Sequence, residues 1–162
     1  MGIVVEDWIE LKQMLDEHTS RNEIVVSTNG VFDILHVGHV RVLKDAKSLG
    51  DLLVVGINSD ASVKRLKGSS RPFVPQGERA EILSALACVA YVTIFDEDSP
   101  TEMLRALKPM IHTKGGDYQV ETMPETPVMR EWGGRVVTLP FVPGKSTTRL
   151  AQLLQSTGNE RL

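Results

Sequence analysis

Residues 33–40 read DILHVGHV, and they decide the fold class of this chain. An apolar run, residues 24–26, precedes the stretch, and an amphipathic pattern that stops at Gly50 follows it. His36 and His39 therefore stand where a buried strand passes into the first turn of a helix. At such a junction, unpaired backbone N–H groups and the positive end of the helix dipole face outward, so open α/β sheets bind anions there.

The spacing of the two histidines favours a shared role. Residues three apart at the start of a helix lie on the same side, so both imidazoles project together. Gly38 stands directly before His39 and lets a phosphate approach the backbone. The alternative is two unrelated histidines, one capping the helix and one on the surface. We favour the anion site because the chain holds only 4 His in all.

Strand and helix patterns alternate along the chain. A strand, the helix that stops at Gly50 and a second strand form one βαβ unit, whose crossover we expect to be right-handed. The β-branched strands are typical of a parallel sheet that is covered on both faces. We therefore predict an α/β fold with a Rossmann-like, doubly wound, five-stranded parallel sheet and helices on both faces. The predicted strands are residues 24–26, 52–57, 91–95, 110–113 and 135–139.

The N-terminal segment predicts a further helix, over residues 4–18. With 162 residues the chain is long enough for one core, so we expect a single domain over residues 1–162. Residues 1–20 would be a helical extension of that domain. Apolar side chains repeat there at helical spacing and should pack in the core or against a second copy. They are Trp8, Leu11 and Leu15.

Composition excludes several classes of partner. The net charge is −3, so the chain as a whole is not attracted to nucleic acid or to an anionic membrane. Any site for an anion must therefore be formed by a local group of cations and backbone N–H groups. The single cysteine, Cys88, excludes an intramolecular disulfide and a cysteine-based zinc cluster. No apolar run approaches the roughly 18 residues of a membrane span, and residues 1–8 lack the basic start of a signal peptide. We expect a cytoplasmic protein.

The histidine motif is one of an ordered set. Residues 28–33, TNGVFD, followed by residues 36–39, HVGH, resemble the signature of the cytidylyltransferase-like nucleotidyltransferases. These enzymes share an HxGH motif and join a nucleoside triphosphate to a phosphate-bearing substrate, with release of pyrophosphate. The whole set most resembles the heptose 1-phosphate adenylyltransferases of lipopolysaccharide core synthesis. Its later motifs are NSD at residues 58–60, GER at 77–79, KGGDY at 114–118 and GKSTT at 144–148.

The resemblance implies transfer of AMP from ATP to a sugar 1-phosphate, giving ADP-heptose and pyrophosphate. ATP would bring Mg²⁺ with it, because the sequence shows no dedicated carboxylate cage, and a homodimer is common in the family. Catalytic roles are implied for His36, His39, Lys64 and Lys67. Nucleotide contacts are implied for Thr28, Asn29, Gly30, Val31, Phe32, Asp33, Gly38, Lys114, Gly115, Asp117, Ser146, Thr147 and Thr148. Substrate contacts are implied for Asn58, Asp60, Arg71 and Arg79.

A basic segment follows the second strand, with four cations between residues 64 and 71. A solvated charge run is the plain alternative. We favour a phosphate contact, because the segment leaves the sheet at the edge where the histidines stand and a triphosphate there needs compensating charge. In the resembling family a lysine of this loop reaches the phosphates, and Lys64 and Lys67 are both candidates. Arg79, at the start of the next helix, is either a phosphate contact or a structural one.

Two late motifs border the expected nucleotide site. Gly115 and Gly116 follow a strand and permit close approach of a ligand to the backbone. Residues 146–148 open the last predicted helix with three hydroxyls; one suffices as an N-cap, and the others suit a second phosphate site. In the resembling family these hydroxyls hold the β- and γ-phosphates. Related glycerol-phosphate cytidylyltransferases carry an arginine where Phe141 stands, which argues against that substrate.

In-line displacement at the α-phosphorus fits these groups. The nucleophile is a phosphate oxygen that is already an anion, so catalysis depends on positioning and charge stabilisation rather than on a general base. Our hypothesis is that His36 and His39 donate N–H groups to the phosphates and the transition state. The nearest alternative is a cytidylyltransferase for glycerol 3-phosphate or another small phosphate. A nucleotide-sensing module without turnover is the non-enzymatic alternative.

Overall fold

The computed structural model describes residues 1–140, which form a six-stranded parallel sheet with helices on both faces. The Rossmann-like α/β prediction is confirmed. The strands are β1 (Ile3–Val4), β2 (Val25–Gly30), β3 (Leu52–Asn58), β4 (Tyr91–Phe95), β5 (Ile111–Gly115) and β6 (Arg135–Leu139). The helices are α1 (Trp8–Ser20), α2 (Val37–Lys47), α3 (Asp60–Lys67), α4 (Gln76–Ser84), α5 (Thr101–Leu107) and α6 (Glu125–Arg130), with a 3₁₀ turn at Val120–Thr122.

The sheet has six strands where the sequence predicted five, because β1 was missed. This two-residue strand lies at the sheet edge, with Ile3 opposite Tyr91 of β4. A strand this short carries no alternation that could reveal it. The helix predicted from residue 4 begins later, at Trp8, where the Asp7 side chain accepts the backbone N–H of Ile9.

Two apolar clusters cover the two faces of the sheet, as a doubly wound fold requires. One unites Leu11 and Leu15 of α1 with side chains of α5 and α6, so the N-terminal apolar stripe packs in the core. The other unites Leu43 of α2 with Leu83 of α4. Neighbouring strand residues alternate between the clusters, which explains why the strands read as continuous apolar runs.

The strand order is β1-β4-β3-β2-β5-β6. From β2 the chain moves outward through β3 and β4, and it then crosses back to place β5 on the other side of β2. This reversal makes the gap between the carboxyl ends of β2 and β5 the topological switch point, where open α/β sheets bind ligands.

The basic segment predicted as a loop is helical. It forms α3, and the Ser59 side chain caps that helix by accepting the backbone N–H of Ser62 at 3.0 Å. A serine cap followed by good helix formers indicates a helix, but the run of charged residues was interpreted as a loop. None of the helices within residues 1–140 is both long enough and apolar enough to span a membrane.

Candidate active site

The predicted histidine pair lies at the start of α2, and the two side chains cap that helix reciprocally. His36 is the N-cap residue, and its Nδ1 accepts the backbone N–H of Gly38 at 3.1 Å. The Nδ1 of His39 accepts the backbone N–H of His36 at 3.3 Å. An imidazole whose Nδ1 accepts a hydrogen bond carries its proton on Nε2. Both rings therefore present Nε2–H as their donor.

Burial keeps His39 uncharged. Burial, and to a smaller extent the charge of neighbouring His36, lowers the pKa of the imidazole to about 4. The two rings stack with centroids 3.9 Å apart, and the Phe32 ring lies 5.2 Å from that of His39. At neutral pH, His39 thus offers a neutral N–H donor from a fixed position.

A strained turn carries the chain from β2 to the histidines. Phe32 adopts φ of +49°, a left-handed conformation that non-glycine residues rarely take. Its ring lies over Gly30, where an added Cβ would stand 2.9 Å from Cε2 of Phe32. Such strain persists only where surrounding structure enforces it, and it concentrates at ligand sites.

Asp33 holds a second segment against this turn. Its Oδ1 accepts the backbone N–H groups of Phe73, at 2.7 Å, and Val74, at 3.1 Å. Its Oδ2 lies 3.1 Å from Nε of Arg71, whose guanidinium also stacks on the Phe73 ring. Asp33 is 4% exposed. Asp33 and Arg71 were predicted as ligand contacts, and in the structure they bind each other.

Arg79 joins three segments at the carboxyl edge of the sheet. It donates to the backbone carbonyls of Val31 at 2.6 Å, Asn58 at 2.9 Å and Val74 at 2.9 Å, and to Oδ1 of Asp60 at 2.7 Å. The side chain is wholly buried. Of the two interpretations that the sequence left open for Arg79, these contacts favour the structural one.

The cations of the basic segment divide into two groups. Arg65 donates to Asp98 at 2.9 Å and pairs with Asp96, so the acidic turn after β4 neutralises it. Lys64 and Lys67 are exposed on α3 and form no ion pair with any other residue of 1–140. Their charge is therefore available to an anion.

Lys114 lies at the switch point. Its Nζ donates to Oδ1 of Asn29 at 2.9 Å and lies 2.9 Å from Oε1 of Glu125. Thr28 is buried beside it, where its hydroxyl donates to the carbonyl of Thr113 at 3.0 Å. Two predicted nucleotide contacts, Asn29 and Lys114, are thus directly bonded across the neighbouring strands β2 and β5.

A cleft of about 490 Å³ opens beyond β5 and β6. It is lined by residues 116–119 and 138–140, which include the exposed residue Asp117. Gly115 lies at the end of β5, where an added Cβ would contact Val42 at 3.4 Å. The hydroxyl residues Ser146, Thr147 and Thr148, and Phe141, lie outside the described residues.

Sequence reasoning missed Glu125. Glu125 lies between two prolines, a context that reads as an exposed loop, yet it is 3% exposed. His112 is fully buried, and its Nδ1 lies 2.8 Å from Oγ of Ser27. Burial and the nearby Lys114 charge lower the His112 pKa to about 3. Among residues 1–140, no three or more His, Cys, Asp and Glu side chains are grouped to hold a metal ion.

Comparison with known proteins assigns the chain to a family. The family model described as cytidylyltransferase-like matches residues 27–152. This chain belongs to the cytidylyltransferase-like family. The match spans the histidine pair, α3 and the switch point, so every predicted site residue falls within it.

Proteins with similar sequences are longer than this chain. The bifunctional protein HldE of Syntrophotalea carbinolica is 51% identical over 142 residues, which are 88% of this chain and 29% of that protein. The bifunctional protein HldE of Geobacter metallireducens is 49% identical over 151 residues, 93% of this chain and 31% of that protein. The chain thus spans less than a third of the length of these relatives.

A solved structure shares the fold. The crystal structure of the lipopolysaccharide core biosynthesis protein from Thermoplasma volcanium superposes with a TM-score of 0.62 at 32% sequence identity. The match covers 74% of this chain and 97% of that one. It supports the fold assignment.

Proposed function

We propose that this protein is an adenylyltransferase that transfers AMP from ATP to heptose 1-phosphate, giving ADP-heptose and pyrophosphate for lipopolysaccharide core synthesis. The observation that carries the proposal is the stacked pair His36 and His39, held by helix capping so that each ring offers Nε2–H. The similarity to the HldE proteins and to a lipopolysaccharide core biosynthesis protein supports the choice of substrate.

In the proposed reaction a phosphate oxygen of heptose 1-phosphate attacks the α-phosphorus of ATP. The new P–O bond forms as the bond to the β-phosphate oxygen breaks, and pyrophosphate leaves with that electron pair. Since the attacking oxygen is already an anion, no proton has to be removed. His36 and His39 donate to the oxygens on which negative charge accumulates, and neutral donors do this without shifting a proton.

The remaining residues divide by their contacts. Lys64 or Lys67 would bind the phosphates, together with Lys114 and the backbone around Gly30. The hydroxyls of residues 146–148 would hold the outer phosphates. We assign Asp33 and Arg79 to fixing the site's backbone, because their own polar atoms already bind protein groups.

The proposal includes further partners of the reaction. Mg²⁺ would enter as MgATP, bound through the triphosphate oxygens. We propose that the protein acts in the cytoplasm as a homodimer, with ATP and a sugar phosphate as its small-molecule partners and neither nucleic acid nor membrane as a partner.

Pyrophosphate release with paired substrates tests the proposal. ATP and CTP, each with Mg²⁺, are offered with heptose 1-phosphate and with glycerol 3-phosphate. We expect release with ATP and heptose 1-phosphate alone. His39→Ala should lower the rate by about 10²–10³, the usual cost of one such donor. His18→Gln changes a histidine at the opposite end of the sheet, beside Tyr91, and should leave the rate unchanged. Release with CTP alone would contradict the proposal and favour the cytidylyltransferase alternative.

A further inference from the structure

We propose that Glu125 is a positioning residue that holds the ammonium of Lys114 at the switch point, ready for the nucleotide phosphates. The inference rests on the proposed function, since it concerns the nucleotide site of that reaction. It assigns a role to a residue that the sequence motifs do not include.

The contacts place Lys114 between two elements. Asn29, on β2, accepts from Nζ at 2.9 Å, and Oε1 of Glu125, on α6, lies 2.9 Å from the same nitrogen. A lysine has a long, flexible side chain, and fixing it costs rotamer entropy. Two acceptors from different elements hold the ammonium in one place before any ligand arrives, which lowers the entropy cost of binding.

An ammonium has three N–H donors, and these two contacts use two of them. The side chain of Lys114 is 22% exposed, whereas that of Glu125 is 4% exposed. The Lys114 side chain is therefore partly accessible at this edge of the sheet, while its counter-ion is buried. At the carboxyl ends of parallel strands, a cation held in this way suits a phosphate oxygen.

Burial makes this pair different from a surface ion pair. Oε2 of Glu125 is buried without a hydrogen-bond partner within residues 1–140, so Lys114 is the described cation that compensates the carboxylate. A buried carboxylate without its counter-ion is strongly disfavoured, so it holds the lysine tightly. The exposed pair of Glu121 and Arg130, close by, has a similar 2.8 Å contact and lacks this burial.

The test measures binding of MgATP by calorimetry, which needs no sugar substrate. Glu125→Gln keeps the side-chain shape and removes the charge. We expect it to bind MgATP about tenfold more weakly, the effect of weakening one charge-assisted contact, with a higher KM for ATP and a smaller change in kcat. Glu121→Gln is the matched control and should bind MgATP like the wild type.

A double variant separates positioning from folding. Lys114→Met/Glu125→Leu removes both charges of the pair, so it should fold even if a single variant does not. If Glu125 acts through Lys114, Glu125→Leu causes no further loss of MgATP affinity in the Lys114→Met background. An equal loss in both backgrounds, or unchanged affinity together with a lower melting temperature, would show a merely structural role and overturn the proposal.

Failure of the proposed function gives a different result. If the wild type binds MgATP and releases no pyrophosphate with heptose 1-phosphate, the substrate assignment fails and the binding comparison still decides the role of Glu125. If the wild type binds MgCTP instead, the same variants are compared with MgCTP. Binding of neither nucleotide would overturn the positioning role as well.

Discussion

The imidazoles of His36 and His39 lie face to face, with ring centroids 3.9 Å apart and an angle of 23° between their planes. Each ring uses Nδ1 to accept a backbone N–H in the first turn of α2. The helix start thus fixes the position and the tautomer of both rings. The proposed donation of N–H groups to the phosphates depends on this arrangement of the two rings.

His39 should titrate far below an ordinary histidine. Burial, and then the charge of His36, lowers its pKa from 6.5 to about 4. An NMR titration of the histidine ring signals should therefore show a neutral His39, protonated at Nε2, down to about pH 5. His36→Asn should raise the midpoint part of the way only, since burial is the larger cause. A midpoint near 6.5 in the wild type would contradict this environment.

Gly30 should not tolerate a side chain. The Cβ of Gly30→Ala would lie 2.9 Å from Cε2 of Phe32, so the Phe32 ring has to leave its position over Gly30. We expect a loss of about 1–3 kcal/mol in the free energy of unfolding, as for other overpacked sites. Gly77→Ala is the matched control: nothing lies within 4 Å of that Cβ and the position is helical. Gly77→Ala should raise the free energy of unfolding by roughly 0.5–1 kcal/mol. Urea denaturation measures both, and equal effects would refute the proposed clash.

Arg79→Lys should destabilise the protein in spite of keeping the charge. A lysine cannot reach the three carbonyls and one carboxylate that the guanidinium binds. Leaving buried acceptors without donors predicts a loss of about 2–4 kcal/mol, measured by chemical denaturation. Arg130→Lys, at an exposed ion pair, should change stability much less. A wild-type unfolding curve for Arg79→Lys would mean that Arg79 does not hold the edge together.

His112 should make the folded state sensitive to acid. Its pKa is about 3 in the folded protein and about 6.5 when unfolded, so the unfolded chain binds the proton more readily between these values. The contribution of neutral His112 to the free energy of unfolding is fully present above pH 6.5 and is lost as the pH falls toward 3. From pH 6.5 to 4.5 this one group contributes a loss of about 2–3 kcal/mol. The free energy of unfolding of His112→Gln should therefore depend less steeply on pH than that of the wild type. If the free energies of unfolding of the variant and the wild type depended on pH in the same way, His112 would not be buried and neutral in the folded protein.

The parts of the fold that were predicted correctly are those that local sequence patterns indicate. The βαβ unit around the histidines, and the strands at residues 91–95 and 135–139, rest on apolar runs and turn signals that a single sequence displays. The edge strand β1 escaped because its two residues gain their hydrogen bonds from β4, which is distant in the chain. Helix α3 was not predicted, because its charged residues were interpreted as a loop and the Ser59 cap was not recognised.

Long-range pairing limited the prediction of the site. The motif residues were found, but their partners were not, because nothing local links Asp33 to Arg71 or Lys114 to Glu125. Arg79 illustrates the consequence. Its type and position suit a phosphate, and only the fold reveals that three backbone carbonyls already occupy it.

³¹P NMR of the protein mixed with MgATP and heptose 1-phosphate tests the proposed adenylyl transfer in one experiment. We expect the signals of both substrates to fall together while those of a sugar-linked diphosphate and pyrophosphate rise in equal amounts. Formation of AMP or ADP without the sugar-linked diphosphate, or substrates that stay unchanged beside an active MgCTP reaction, would contradict it.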